Sequence, residues 1–237
     1  MYGLRNRRLA ADGRIRNIGA CVFDAYGTLF DVTAATARCR DTLGEKADAL
    51  ASIWRTKQLE YTWLRSLRGD YVDFWHVTGQ SLDYAMAALK LKDDALRTRL
   101  MELYLVLDAY PEVREMLSTI KEVGMRTAIL SNGSPSMLVA AVRRAELEDL
   151  LDEVISVDSV RIYKPHPSVY QLAVDRLRMP SERICFLSAN AWDASGAAHF
   201  GFRVIWINRF RAQPEQLPGK PEKEIHNLAE LPDLLEL

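Results

Sequence analysis

Ile18-Gly-Ala-Cys-Val-Phe-Asp-Ala-Tyr-Gly-Thr28 is the stretch from which the fold follows. Its first six residues are a short, nearly unbroken apolar run, and a polar, glycine-containing turn begins at Asp24. An apolar run of this length without alternation is the pattern of a strand buried on both faces of a parallel sheet. Such a strand delivers the residue that follows it to the sheet edge where open α/β sheets bind their ligands. Asp24 is therefore expected at the carboxyl end of a strand, facing a ligand crevice.

Three later runs have the same form and also end in polar residues: Thr127-Ala-Ile-Leu-Ser131, Ile184-Cys-Phe-Leu-Ser188 and Arg203-Val-Ile-Trp-Ile207. A shorter one, Glu153-Val-Ile-Ser-Val157, is assigned to the same sheet. Helical patterns separate them over Pro111 to Val123 (closed by Gly124), Ser134 to Ala145, Pro167 to Arg178, and Ala191 to Phe200 (closed by Gly201). Strands alternating with helices predict an α/β fold, a doubly wound, Rossmann-like parallel sheet. From Thr33 to Leu107 only helix-period patterns occur, rich in Leu, Ala, Trp and Tyr, so this stretch is read as an inserted helical cap over the Asp24 edge. The expected organisation is a tail over 1–17, a core over 18–32 and 108–237, and a cap over 33–107.

The chain has 237 residues, 49% hydrophobic and 27% charged, enough for a full core. A net charge of -1 gives no basic field for a nucleic acid or an anionic bilayer, and no run approaches membrane-spanning length, so a small-molecule partner is expected. The arginine-rich N-terminal residues lack the apolar segment of a secretory signal. Cys21, Cys39 and Cys185 are odd in number and far apart, which argues against a disulfide framework or zinc site and for buried thiols in a reducing cytoplasm.

The residues leaving the strand ends are Asp24 with Thr28, Ser131 with Asn132, the loop bearing Lys164, and Ser188 to Asn190 followed by Asp193. A carboxylate needs no separate base to be nucleophilic at neutral pH, and a nearby lysine would keep it ionised while offsetting repulsion of an anionic substrate. Each residue alone also has an ordinary structural reading. Asp24 could close a turn, Ser134 and Pro135 could simply start a helix, Lys164 could be a surface lysine, and Asp193 could complement a helix dipole. Their joint occurrence at one edge favours catalysis.

Four segments in order resemble the motifs of the haloacid dehalogenase superfamily: Phe23-Asp-Ala-Tyr-Gly-Thr-Leu-Phe-Asp31, Ile129-Leu-Ser-Asn-Gly-Ser134, Val160-Arg-Ile-Tyr-Lys-Pro165 and Ser188-Ala-Asn-Ala-Trp-Asp193. A fifth, Trp54-Arg-Thr-Lys-Gln-Leu-Glu-Tyr-Thr-Trp-Leu64, is similar to the cap of its L-2-haloacid dehalogenases. The resemblance covers residues 18 to about 210. It implies that Asp24 attacks C2 of a small 2-haloacid, that an aspartyl ester forms as halide leaves, and that water then releases a D-2-hydroxy acid. It further implies that Thr28, Ser188 and Lys164 orient Asp24, that Asn190 and Asp193 hold the water, and that Tyr170 is a family tyrosine near the lysine. Ser131 and the amides from Ala25 and Tyr26 would hold the substrate carboxylate. Arg55 with Asn132 would meet the halide, and Leu59, Tyr26, Phe74 and Trp192 would surround the substrate.

The departures from the superfamily's phosphatases matter as much. Tyr26 stands where a phosphatase has its acid for the leaving alcohol, which halide does not need. Ala189 stands where a magnesium-binding carboxylate would be, and alanine offers no oxygen donor to a hard cation. No metal and no other cofactor are expected, and the resemblance suggests a homodimer. Ala189 also replaces a serine usual in the dehalogenase branch. Other readings open on sequence alone are a hydrolase of another 2-substituted or cyclic acid, a magnesium-dependent phosphatase, and a non-catalytic binding protein.

Overall fold

The apolar runs pair at the centre of one sheet. A computed structural model describes residues 13–235, in which β1 (Ala20–Phe23), β2 (Arg126–Ser131), β3 (Glu153–Ser156), β4 (Ile184–Ser188), β5 (Arg203–Ile207) and β6 (Lys223–Ile225) run in the order β3-β2-β1-β4-β5-β6. Every neighbouring pair is parallel, with Val22 opposite both Ala128 and Phe186. β1 is buried throughout, as its uninterrupted apolar run requires. The chain winds from β1 through β2 to β3, then crosses back to β4. That reversal opens a crevice beyond the carboxyl ends of β1 and β4.

Between β1 and β2 lie α1 (Ala34–Ala37), α2 (Arg40–Leu43), α3 (Lys46–Arg68), α4 (Phe74–Ala88), α5 (Asp94–Leu105) and α6 (Val113–Glu122). The later helices are α7 (Pro135–Arg144), α8 (Pro167–Leu177), α9 (Ala191–Phe200) and α10 (Leu231–Leu235). Asp73 and Asp93 cap α4 and α5 by accepting from the amides of His76 and Leu96 at 2.8 and 2.9 Å, each bond worth about 1 kcal/mol. Pro135 occupies the first turn of α7 as expected, but the Ser134 hydroxyl turns to Ser136 Oγ at 3.3 Å and caps nothing.

α3 to α5 form the helical cap region over the sheet edge. The segments leading into and out of the helical insertion pair with each other: the Asp31 amide donates to Asp108 O at 3.0 Å and the Tyr110 amide to Leu29 O at 2.9 Å. On the far side, Tyr163 donates its hydroxyl to Val72 O and its amide to Ser66 Oγ, while the Tyr71 hydroxyl bonds Asp158.

The end of the expected tail is tied to the rest of the chain. Ile15 is buried, with its amide bonded to Leu234 O at 2.9 Å, because an isolated isoleucine finds an apolar seat against the C-terminal segment. The rest of that tail, residues 1–12, lies outside the described residues. All three cysteines are free and buried. Among the described residues no helix is long and apolar enough to cross a membrane.

Candidate active site

β1 ends at Phe23, and the Asp24 amide bonds Leu187 O of β4 at 2.8 Å, so the carboxylate is carried into the crevice by a strand extension. The turn that follows is closed on the Ala25 carbonyl, which accepts the amides of Thr28, Leu29 and Phe30, with Gly27 at φ +90 where a side chain would be strained. Three donors meet the Asp24 carboxylate. Lys164 Nζ reaches Oδ1 at 3.0 Å, and Thr28 Oγ1 and Asn190 Nδ2 reach Oδ2 at 3.1 and 2.9 Å. These three donors fix the carboxylate oxygens in space.

Lys164 also donates to Asp193 Oδ2 at 2.8 Å, so its ammonium lies between two carboxylates. Burial pulls its pKa down, but Asp193 and then Asp24 more than offset this, and the pKa is raised overall. Tyr170 OH donates to Asp193 Oδ1 at 2.8 Å, and burial, followed by the charge of Asp193, pushes that phenol's pKa well up. Tyr170 is thus a support of Asp193.

Two of the expected site residues turn to Asn190. The Ser188 hydroxyl does not touch Asp24: its bonds are with the Asn190 amide at 3.1 Å and the Asn190 carbonyl at 3.4 Å, because the tight turn after β4 draws it back onto the backbone. Arg55 bonds Asn190 Oδ1 at 3.0 Å, and Asn132 Oδ1 accepts the Lys164 amide at 3.0 Å. That bond commits the Asn132 oxygen to fixing the lysine loop. Ser131 is buried and accepts the Gly133 amide at 3.0 Å.

The apolar residues divide into two groups. Tyr26 and Phe74 are buried with ring centroids 5.9 Å apart, and burial, then Tyr104 and Asp24, push the Tyr26 phenol well above its usual range and keep it neutral. Leu59 and Trp192 are half-buried and stand outside the packed apolar cluster; Trp192 meets Trp63 of α3 edge-on at 5.4 Å. Half-buried apolar groups left out of the core are free to line a small-molecule pocket. Among the described residues no three His, Cys, Asp or Glu side chains gather as a metal site.

Three supporting residues were not singled out from the sequence. Gln58 and Tyr104 bond each other beside Arg55, and Arg209 donates to Thr28 O at 2.9 Å. Gln58 had a signal, a polar residue within an apolar stripe of spacing four. Arg209, a single arginine in a polar loop, had none.

Residues 18–201 match the family of haloacid dehalogenase-like hydrolases. (S)-2-haloacid dehalogenase 1 of Pseudomonas sp. (strain CBS-3) is 46% identical over 220 residues, 92% of this chain and 96% of its own. (S)-2-haloacid dehalogenase 4A of Burkholderia cepacia is 44% identical over 93% of this chain and 96% of its own. The structure of the Xanthobacter autotrophicus L-2-haloacid dehalogenase with chloropropionic acid covalently bound superposes with a TM-score of 0.86 at 35% identity, covering 92% of this chain and 98% of that one.

Proposed function

The chain belongs to the haloacid dehalogenase-like hydrolases, and from that membership and the geometry at Asp24 we propose that it is an (S)-2-haloacid dehalogenase converting small L-2-haloacids to D-2-hydroxy acids without a metal. The observation that carries this reading is a buried carboxylate held by one ammonium and two neutral donors, with Tyr26 and Ala189 replacing the carboxylates that phosphoryl chemistry would use.

An Asp24 oxygen attacks C2 from the side opposite the halogen. The new C–O bond forms as the carbon–halogen pair departs with the halide, which inverts C2. Burial favours the step by stripping water from the nucleophile. Water oriented by Asn190 and Asp193 then attacks the ester carbonyl carbon of Asp24, giving a proton to Asp193, and the tetrahedral intermediate collapses with the alkoxide taking that proton back from Asp193. Cleavage on the acyl side leaves the new oxygen on Asp24 and keeps the inverted configuration. Ser131 and the amides of Ala25 and Tyr26 receive the substrate carboxylate; Arg55 and Asn132 receive the halide; Leu59, Tyr26, Phe74 and Trp192 enclose C2.

The unit boundaries 18–32 with 108–237 and 33–107 belong to the same reading, supported by the paired linkers at Asp31 and Tyr110. So do a cytoplasmic setting, which suits three buried cysteines with no disulfide between them, and a homodimer. Leu64 and Leu67 on α3 and Tyr84 on α4 are exposed large apolar groups that a second copy could cover. Sedimentation at micromolar concentration checks the dimer.

Halide release from each enantiomer of 2-chloropropionate in EDTA tests the function, beside phosphate release from a phosphomonoester in magnesium. Chloride from the L form alone is expected, and Asp24→Asn should abolish it. Phosphate without chloride would overturn the proposal.

A further inference from the structure

α3 buries a stripe of Leu50, Trp54, Gln58 and Thr62, each four residues from the next. Two of these positions are polar where packing asks only for apolar volume. Gln58 is only 1% exposed, and a buried amide is destabilising unless its bonds are made. They are made. Its Nε2 donates to Thr78 Oγ1 at 2.7 Å and lies 3.2 Å from Tyr104 OH; its Oε1 accepts from Arg55 Nη1 at 2.9 Å. Thr78 is held in turn by the Phe74 carbonyl at 2.7 Å, and the Tyr104 ring is wedged between Tyr26 and Trp54 at 5.6 and 5.3 Å. An apolar residue of similar size would fill the stripe without this network, so fold stability does not account for the amide.

We infer that Gln58, fixed by Thr78 and Tyr104, is a positioning residue that aims the Arg55 guanidinium at the departing halide and so sets how strongly the enzyme discriminates between leaving groups. Gln58 holds one edge of the fork while the other reaches Asn190 Oδ1 at 3.0 Å. An arginine on a free stem would lose rotamer entropy each time it met a halide, whereas one held on its inner edge has already lost it. The gain is largest for the leaving group that most needs donors: chloride, small and poorly polarisable, more than iodide. The inference rests on the proposed dehalogenase reading and on Arg55 as the halide donor.

The test compares kcat/KM for L-2-chloro- and L-2-iodopropionate, with chloride inhibition, in the full-length enzyme. Gln58→Met with Tyr104→Phe removes the amide and the hydroxyl it would strand; Gln58→Glu keeps a polar group of the same shape but pairs the guanidinium with a charge. Both variants should lower kcat/KM on the chloro substrate by about tenfold and on the iodo substrate by at most about threefold, the first by losing a hydrogen bond to the guanidinium and the second by holding the guanidinium on a full negative charge and away from the halide. Chloride should inhibit them more weakly. Equal losses on both substrates in both variants, or no loss, overturn the inference, since a merely structural residue would not change the ratio. Arg55→Ala is the control. If it changes the ratio while neither Gln58 variant does, the positioning inference fails and the reading of Arg55 stands; if it leaves the ratio unchanged while L-chloride release is normal in the parent, that reading fails and takes the inference with it.

Discussion

At Lys164 two opposed effects meet, and their balance sets a pH dependence. Burial alone would lower the pKa of this lysine, yet the carboxylates of Asp193 and Asp24, at 2.8 and 3.0 Å, raise it above its ordinary 10.5. A folded value above the unfolded one means that this group's stabilisation is fully present below about pH 10.5 and is lost as pH rises through the folded value. Thermal midpoints measured across the alkaline range should therefore show no loss assignable to Lys164 until pH passes 10.5. The rate on L-2-chloropropionate should likewise keep Lys164 charged across about pH 8 to 10. In Lys164→Met, Asp24 and Asp193 would face each other without a cation between them. One carboxyl then protonates more readily, the acid limb of the rate profile moves to higher pH, and turnover near neutrality falls on the order of a hundredfold.

Among the elements, what the sequence made legible follows from burial. β1, β2, β4 and β5 are apolar because neighbours cover them on both faces, so their runs stand out. β6 was not anticipated, since only Ile225 of its three residues is buried at the sheet edge. Asp24, Lys164 and Asp193 were legible as strand-end residues, whereas the bonds of Ser188 and Arg55 to Asn190 depend on loop shape that no spacing encodes. α9 gives a test of how tightly elements fit around the site. A Cβ on Gly196 would come within 2.7 Å of both Pro165 Cβ and Tyr170 OH, the hydroxyl that supports Asp193. Alanine would gain about 1 kcal/mol of helix propensity, but overpacking against a rigid ring and a buried phenol costs about 1–3 kcal/mol. Gly196→Ala should be destabilised in urea unfolding and lose kcat as well, because Tyr170 must yield. Asp152 joins α6 to the sheet: it accepts from Lys121 Nζ at 2.6 Å and from the Thr127 amide at 2.8 Å. Burial raises its pKa, but these donors outweigh it and the net shift is below 3.8. Its stabilisation is present above 3.8 and lost as pH falls through the lower folded value. Asp152→Asn should cost about 1–2 kcal/mol at neutral pH, with the difference from the parent closing in strong acid.

For the whole molecule, Arg209 joins parts far apart in sequence. It follows β5, stacks on the Tyr110 ring at 3.7 Å in the segment returning from the helical insertion, and approaches Glu112 Oε1 at 2.7 Å. It also donates to the carbonyl of Thr28, whose hydroxyl holds Asp24. Glu112 Oε1 and Arg209 Nε lack an aligned hydrogen-bond partner, so this contact is an ion pair held by charge more than by direction. Both side chains are nearly buried, at 9% and 12% exposure, which makes removal of one partner more damaging than removal of both. Arg209→Met should lose about 3–5 kcal/mol by leaving Glu112 buried without a counter-charge. Arg209→Met with Glu112→Leu should recover most of that loss, because apolar replacements of similar size fill the space with no unpaired charge. Activity should not recover in parallel, since neither replacement donates to the Thr28 carbonyl. Urea unfolding and chloride release on the two variants separate these outcomes: stability restored while turnover stays low means that Arg209 steadies the nucleophile's turn, and joint recovery would make its role one of packing alone.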